Sequence, residues 1–421
     1  MYTNYTDSCL DMKRASSLRK LMLFDLSING HHPAYIRHLI QYWCEHKLPG
    51  CLDIVVSPKF MQHHSDVVDM AGYGESNVNF VAIDSEAEAT LKSRKSGVNR
   101  TIRAFQEWHL LCRYAGSLRA TQCLIMYFDT CQLPLAFGKK PPCPVSGIYF
   151  KPTFHYSNFA HFESSWQVRL QQWREKLLLS RVLQHPRLQT LFCLDPFVVK
   201  HIDQFHSPVK VMPLPDPVPL TTVSEAQVMS LRQRLGIDPG RQVFLLFGAL
   251  TGRKGIHQLL EAVAMLPPDL SQKFCLVLAG QANPQEQAKM ASHITAIRQA
   301  ARVQIITHYE FIPEPEVQTY FQLADVVLAP YQRHIGMSGI LLLAAAAHRP
   351  VLSSDYGLMG EVVQRYGLGL TVDSTIPTEI ARGLTRFLLE SPAGLCDRSK
   401  MKSFAEQNSA EQFANVIFQH L

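Results

Sequence analysis

The sequence predicts an α/β protein built from two Rossmann-like, doubly wound domains. Three observations carry that expectation. Short apolar runs alternate with amphipathic stretches through the first half, which is the grammar of a parallel sheet covered by helices. The second half repeats the alternation. At 421 residues the chain exceeds the ~250–300 residues at which one core stops growing.

In the first half, strands are expected at 20–26, 52–57, 78–83, 123–128, 147–150 and 188–194, and helices near 35–45, 99–114, 165–183 and 196–204. The stretch 207–219 is dense in proline and reads as an extended linker. The expected domains are therefore 1–215 and 216–402. Ligands of open α/β sheets bind beyond the carboxyl ends of strands, so the strand ends hold the candidate site residues.

The first strand runs into Asn29-Gly30-His31-His32 just before a helix. Gly30 permits close backbone approach, and an imidazole titrating near ~6.5 can bind an acceptor or move a proton. The alternative is one histidine at the helix cap and the other exposed. The fourth strand leads to Asp129, a candidate proton acceptor or an ordinary turn carboxylate. Further on, Tyr149-Phe-Lys151-Pro-Thr-Phe-His155-Tyr156 gathers aromatics that suit an acceptor groove or core packing.

In the second half, an apolar strand ends at Gly248 and a short loop presents Arg253 and Lys254 before a helix. Cations at a helix start oppose the dipole, so an anionic partner explains them better than solvent does. A later strand feeds Gly336-Met-Ser338-Gly339 and then a helix of strong helix formers. Glycines there let an anion approach first-turn N–H groups that lack intrahelical acceptors.

These blocks resemble the nucleotide-sugar glycosyltransferases of the GT-B fold, and among them glycosyltransferase family 4. The resemblance rests on Phe247-Gly248 with Lys254-Gly255, Leu276-Val-Leu-Ala-Gly280, Ala324-Asp-Val-Val-Leu-Ala-Pro330, Pro350-Val351, and Gly357 with Glu361. It implies two Rossmann-like domains facing a central cleft, the second holding the donor, and a last helix, 403–421, returning to the first. It further implies donor phosphate contacts from Lys254 and from the helix start at Gly336 to Gly339, base packing by Tyr309 or Phe311, and ribose contacts by Glu361. The loop of Asn29, Gly30 and His32 resembles the acceptor-side loop, with Asn29 standing where the family normally shows a second glycine. His31 and Asp129 become the catalytic candidates.

The chain also departs from that pattern. Ile335 and Leu343 stand where the family carries paired glutamates, and Ala249 stands where an arginine is common. The function implied is transfer of a sugar from a UDP- or GDP-sugar to a lipid, polysaccharide or small-molecule acceptor, with retention. The alternatives are a nucleotide-sugar epimerase and a non-catalytic nucleotide-binding scaffold. No cofactor is expected beyond the donor co-substrate, and no metal, since cations and a helix dipole can carry the phosphate charge.

Composition is ordinary for a globular chain, 47% hydrophobic and 18% charged. The net charge of +6 suits an anionic nucleotide or peripheral contact with an anionic membrane. It lacks the dense basic-aromatic stripe of a single-strand nucleic-acid binder. Ten cysteines without a C-x-x-C pair read as reduced thiols. The first twenty residues show no signal-peptide core, and the longest apolar run, Ile340 to Ala347, falls far short of the ~20 residues a spanning helix needs. The expected location is cytoplasmic, with contact at the inner membrane face at most.

Overall fold

The computed structural model describes residues 19–72, 77–93, 95–159, 161–162, 165–218 and 222–421. The expectations for the first residues and for Cys9 lie outside these, apart from positions 19 and 20. Two units emerge. The first comprises the described residues of Met1–His155, Ser164–Pro217 and Ala410–Leu421, the second those of Tyr156–Glu163 and Val218–Ser409.

The first unit carries β1 (Lys20–Phe24), β2 (Cys51–Val56), β3 (Val78–Ala82), β4 (Gln122–Ile125), β5 (Val145–Tyr149), β6 (Leu188–Cys193) and β7 (Lys210–Pro213). They form one sheet in the order β3-β2-β1-β4-β5-β6-β7, parallel at every pairing. Side-chain alternation feeds two cores. Leu21 and Leu23 of β1 pack on one face with Ile36, Leu39 and Trp43; Met22 and Phe24 pack on the other with Trp108 and Leu111. The helix Ala410–Gln419 buries Phe413, Ala414, Ile417 and Phe418 in the first of these cores. Burial of each large apolar side chain contributes about 1.5–3 kcal/mol.

The linker expected at 207–219 contains a strand instead. Lys210–Pro213 pairs in parallel with β6, and Val209, Val211 and Met212 pack on the cores. The prolines concealed it. β7 lies at the sheet edge, where Pro213 as the last residue forfeits no ladder bond.

The second unit carries β8 (Gln242–Phe247), β9 (Phe274–Ala279), β10 (Gln304–His308), β11 (Val326–Ala329), β12 (Val351–Ser354) and β13 (Gly369–Val372). Their order is β10-β9-β8-β11-β12-β13, again parallel throughout. Every residue of β9 is buried, as a sheet covered on both faces requires. The two units therefore share one strand order over six strands, which β7 extends in the first. In each, the strand order reverses beside the first strand, between β1 and β4 and between β8 and β11, and the crevice at such a reversal is where open α/β sheets bind ligands.

Among the described residues nine cysteines are free thiols, six of them buried, and burial pushes the Cys112 thiol up to about 11 and Cys131 up to about 12.

Candidate functional site

At the reversal of the second unit, β8 ends against Gly248, whose φ of 96° only glycine adopts readily. A Cβ there would lie 3.2 Å from Lys254 Nζ. The chain makes one 3-10 turn, Gly252–Lys254, and enters the helix Ile256–Ala264 through Gly255 in the left-handed region. That turn folds Lys254 inward, leaving it 6% exposed. Its ammonium donates to the Phe247 carbonyl at 2.5 Å and to Tyr331 Oη at 2.8 Å.

Tyr331, just beyond β11, joins the two loops. Its hydroxyl lies 3.0 Å from Ser338 Oγ, and its ring stands 4.8 Å from Lys254 Nζ and 5.5 Å from the Arg253 guanidinium. Arg253 is exposed and reaches His334 Nδ1 at 3.3 Å. Ser338 is the N-cap of the helix Gly339–Ala346 but makes no side-chain cap bond. Its hydroxyl is directed to Tyr331 instead.

The structure thus brings Gly248, Arg253, Lys254 and Ser338 together around Tyr331. Both neighbouring glycines sit in open space: a Cβ on Gly339 would meet nothing within 4 Å, and one on Gly336 only His334 Nε2 at 3.9 Å. Gly255 is different. A Cβ there would fall 2.0 Å from the Pro330 carbonyl oxygen, so this glycine exists to let the two loops touch.

Lys254 is the chemical centre. Its two partners are neutral oxygens, and among the described residues no carboxylate pairs with it. A buried ammonium is costly unless an opposite charge or full hydrogen bonding compensates it.

The remaining donor-side candidates stand apart from this network. Phe311 is 70% exposed, while Tyr309 packs on the core of the second unit. Glu361 lies past the first turn of its helix, Gly357–Arg365, and pairs with Arg365 at 2.5 Å. A cleft of about 300 Å³ opens beyond β11, β12 and β13, lined by Arg333, Asp355, Asp373 and Thr375 with His161 and Phe162. Burial raises the Asp355 carboxyl, and His161, 3.5 Å away, acts against that rise.

At the reversal of the first unit, the two histidines separate in role. His32 is buried, its Nδ1 2.6 Å from Asp25 Oδ2, and the other Asp25 oxygen accepts from the Ser27 N–H at 2.9 Å. His31 is exposed as the N-cap without a side-chain cap bond. It stacks on Phe150 at 4.6 Å and on His32 at 4.7 Å. Loss of hydration among these rings lowers its pKa to about 4, with His32 adding repulsion. Asn29 and Gly30 are exposed beside it, Gly30 at φ 74° with nothing within 4 Å of a Cβ.

Asp129 lies in the 3-10 turn Phe128–Thr130 after β4. Both carboxylate oxygens are engaged, accepting from the N–H groups of Phe150 and Lys151 at 2.9 Å each. Burial raises its pKa to about 6 against the pull of those bonds. The carboxylate ties the loop after β4 to the end of β5. His155, from the aromatic stretch, is buried against Asp195 at 2.8 Å, so it belongs to the core.

Sequence reasoning overlooked Tyr331 and the Asp25–His32 pair. Each signal was present, a tyrosine or an aspartate within a residue or two of a strand end, but which neighbour it meets depends on strand order.

With this geometry established, similarity to known proteins becomes informative. Residues 228–408 match the family described as glycosyl transferases group 1. The chain is 26% identical over 199 residues to a D-inositol 3-phosphate glycosyltransferase of Pseudarthrobacter chlorophenolicus, covering 46% of each chain. It is 32% identical over 192 residues to the lipopolysaccharide glucosyltransferase WaaG of Escherichia coli, covering 44% of this chain and 49% of that one. The chain thus spans about half the length of the curated relatives it matches. Among solved structures, HepE of Anabaena in complex with UDP and glucose aligns over 95% of this chain and 98% of its own, at 16% identity and a TM-score of 0.59. The fold is GT-B.

Proposed function

We propose that the chain is a glycosyltransferase that takes its sugar from a nucleotide-sugar donor, UDP- or GDP-linked, bound at the reversal between β8 and β11. The observation that carries this reading is the buried Lys254 ammonium, held among the described residues by two neutral oxygens beside an open glycine-bearing helix start. The match of residues 228–408 to group 1 glycosyl transferases supports it.

In this reading Lys254 and Arg253 neutralise the diphosphate, and the N–H groups at the start of the helix Gly339–Ala346 stabilise the charge that develops on the leaving phosphate. Tyr309 and Phe311 cover the base, and Glu361 serves the ribose. His31, neutral at physiological pH with its pKa near 4, offers the acceptor hydroxyl a hydrogen-bonding group; Asp129 fixes the backbone beside it. The acceptor is a hydroxyl of a lipid, polysaccharide or small molecule, and retention follows the resemblance to family 4.

A second reading, nucleotide binding without transfer, is favoured by one observation: both oxygens of Asp129 are occupied by backbone donors. Incubation with individual UDP- and GDP-sugars plus a cell extract, followed by mass spectrometry, separates the readings. A glycosylated product with free nucleoside diphosphate supports transfer, a sugar isomer indicates an epimerase, and tight binding without turnover indicates the scaffold.

A further inference from the structure

The helix Trp166–Val182 of the first unit carries a second feature, independent of the nucleotide reading. Its outward residues Trp166, Leu170, Trp173 and Leu177 are 72%, 47%, 57% and 51% exposed. At about 100° per residue these four fall within an arc of about 60°. The opposite side holds the helix to the unit through buried Gln172, Leu179 and Val182. The ridge is apolar and faces away from the core, the reverse of a surface helix that buries its apolar stripe.

Charge frames the ridge. By the same helical geometry Arg169 and Lys176 flank one side, and Arg174 and Arg181 the other. The helix has one carboxylate, Glu175, and it is withdrawn: it accepts from Tyr149 Oη at 2.5 Å and from Thr153 Oγ1 at 2.6 Å. The patch continues onto the short helix Gln132–Phe137, where Leu133 and Phe137 are exposed, with the Arg181 guanidinium 4.9 Å from the Phe137 ring.

We infer that this face docks on an anionic lipid surface, with the tryptophan-leucine ridge lying among the headgroups and acyl chains and the flanking cations reaching lipid phosphates. Tryptophan suits that boundary, since its ring is apolar and its N–H finds a polar partner. Long cationic side chains lie along the apolar ridge while their heads remain in the polar layer. A second copy of the chain fits poorly, because ridge-to-ridge pairing would set cations against cations on both flanks. Contact of this kind is peripheral; no helix among the described residues is long and apolar enough to cross a membrane.

The test is co-sedimentation of the full chain with vesicles of phosphatidylcholine, with and without phosphatidylglycerol, alongside tryptophan emission. Trp43 and Trp108 are buried, so a blue shift on adding vesicles reports Trp166 and Trp173. The expected result is sedimentation with the anionic vesicles only, weakened by added salt. Affinity should fall about fivefold for each cation removed in Arg174→Gln and Lys176→Gln, and about tenfold or more in Trp173→Ser. Nucleotide affinity should not change, which keeps this test separate from that of the donor site. Absence of binding to anionic vesicles would overturn the inference, as would binding that survives these substitutions, or a dimer abolished by Trp173→Ser with no vesicle binding.

Discussion

The two strand-order reversals have the same topology and opposite chemistry. In the second unit the reversal is built around a buried cation, with Lys254 bonded to a carbonyl and to Tyr331 and Arg253 beside the same ring. In the first it is built from aromatic rings and carboxylates: His31, Tyr35, Tyr127 and Phe150 pack together, and Asp25 and Asp129 hold polar partners. A parallel sheet places a crevice at the reversal whatever the sequence. The side chains then decide the chemistry of the crevice; in the function proposed above, the second unit takes a diphosphate and the first a neutral hydroxyl.

Asp129→Asn should have the largest effect in the first unit. An amide oxygen can accept one of the two backbone N–H bonds and leaves the other unsatisfied, at about 1–3 kcal/mol. The pH dependence sharpens the test. With its pKa raised to about 6 in the fold, the native state binds more protons than the unfolded chain between ~4 and 6, so Asp129 contributes stability at low pH that is lost as pH rises through that window. His31, lowered to about 4, acts with the opposite sign. Thermal denaturation from pH 4 to 7 should therefore show Tm rising more steeply with pH in Asp129→Asn than in wild type. An unchanged slope would mean the carboxylate is not desolvated as described.

Next come the glycines of the second unit. Gly255→Ala, with φ at 75° and a Cβ 2.0 Å from the Pro330 carbonyl oxygen, should cost about 1–3 kcal/mol of stability. Gly339→Val places its side chain in open space, so Tm should stay within about a degree or two while nucleotide affinity drops by roughly tenfold through blocked approach. Equal behaviour of the two variants would erase the distinction between a structural and a ligand-facing glycine. The smallest effect belongs to Glu361→Gln. The ion pair with Arg365 is worth about 0.3–0.5 kcal/mol, and a ribose contact would show as a loss of UDP affinity at unchanged Tm.

How much of this was legible in the sequence follows from what is local. Strand-helix alternation and the glycine-bearing loops are encoded within a few residues, so the fold class, Gly248, Lys254 and Ser338 could be read directly. β7 could not, because its prolines suit an edge strand as well as a linker and only pairing with β6 distinguishes them. Tyr331 stands 77 residues from the lysine it holds, and its role depends on β8 and β11 being neighbours. His31 and His32 look equivalent in sequence. They diverge because Asp25 captures one of them.

The central claim is that Lys254 awaits a diphosphate. Calorimetric titration of UDP and GDP into wild type and Lys254→Ala tests it most directly. The account predicts binding of at least one nucleotide to wild type and a loss of about 1.5–3 kcal/mol in the folded variant. Equal affinity in a folded Lys254→Ala chain would contradict it.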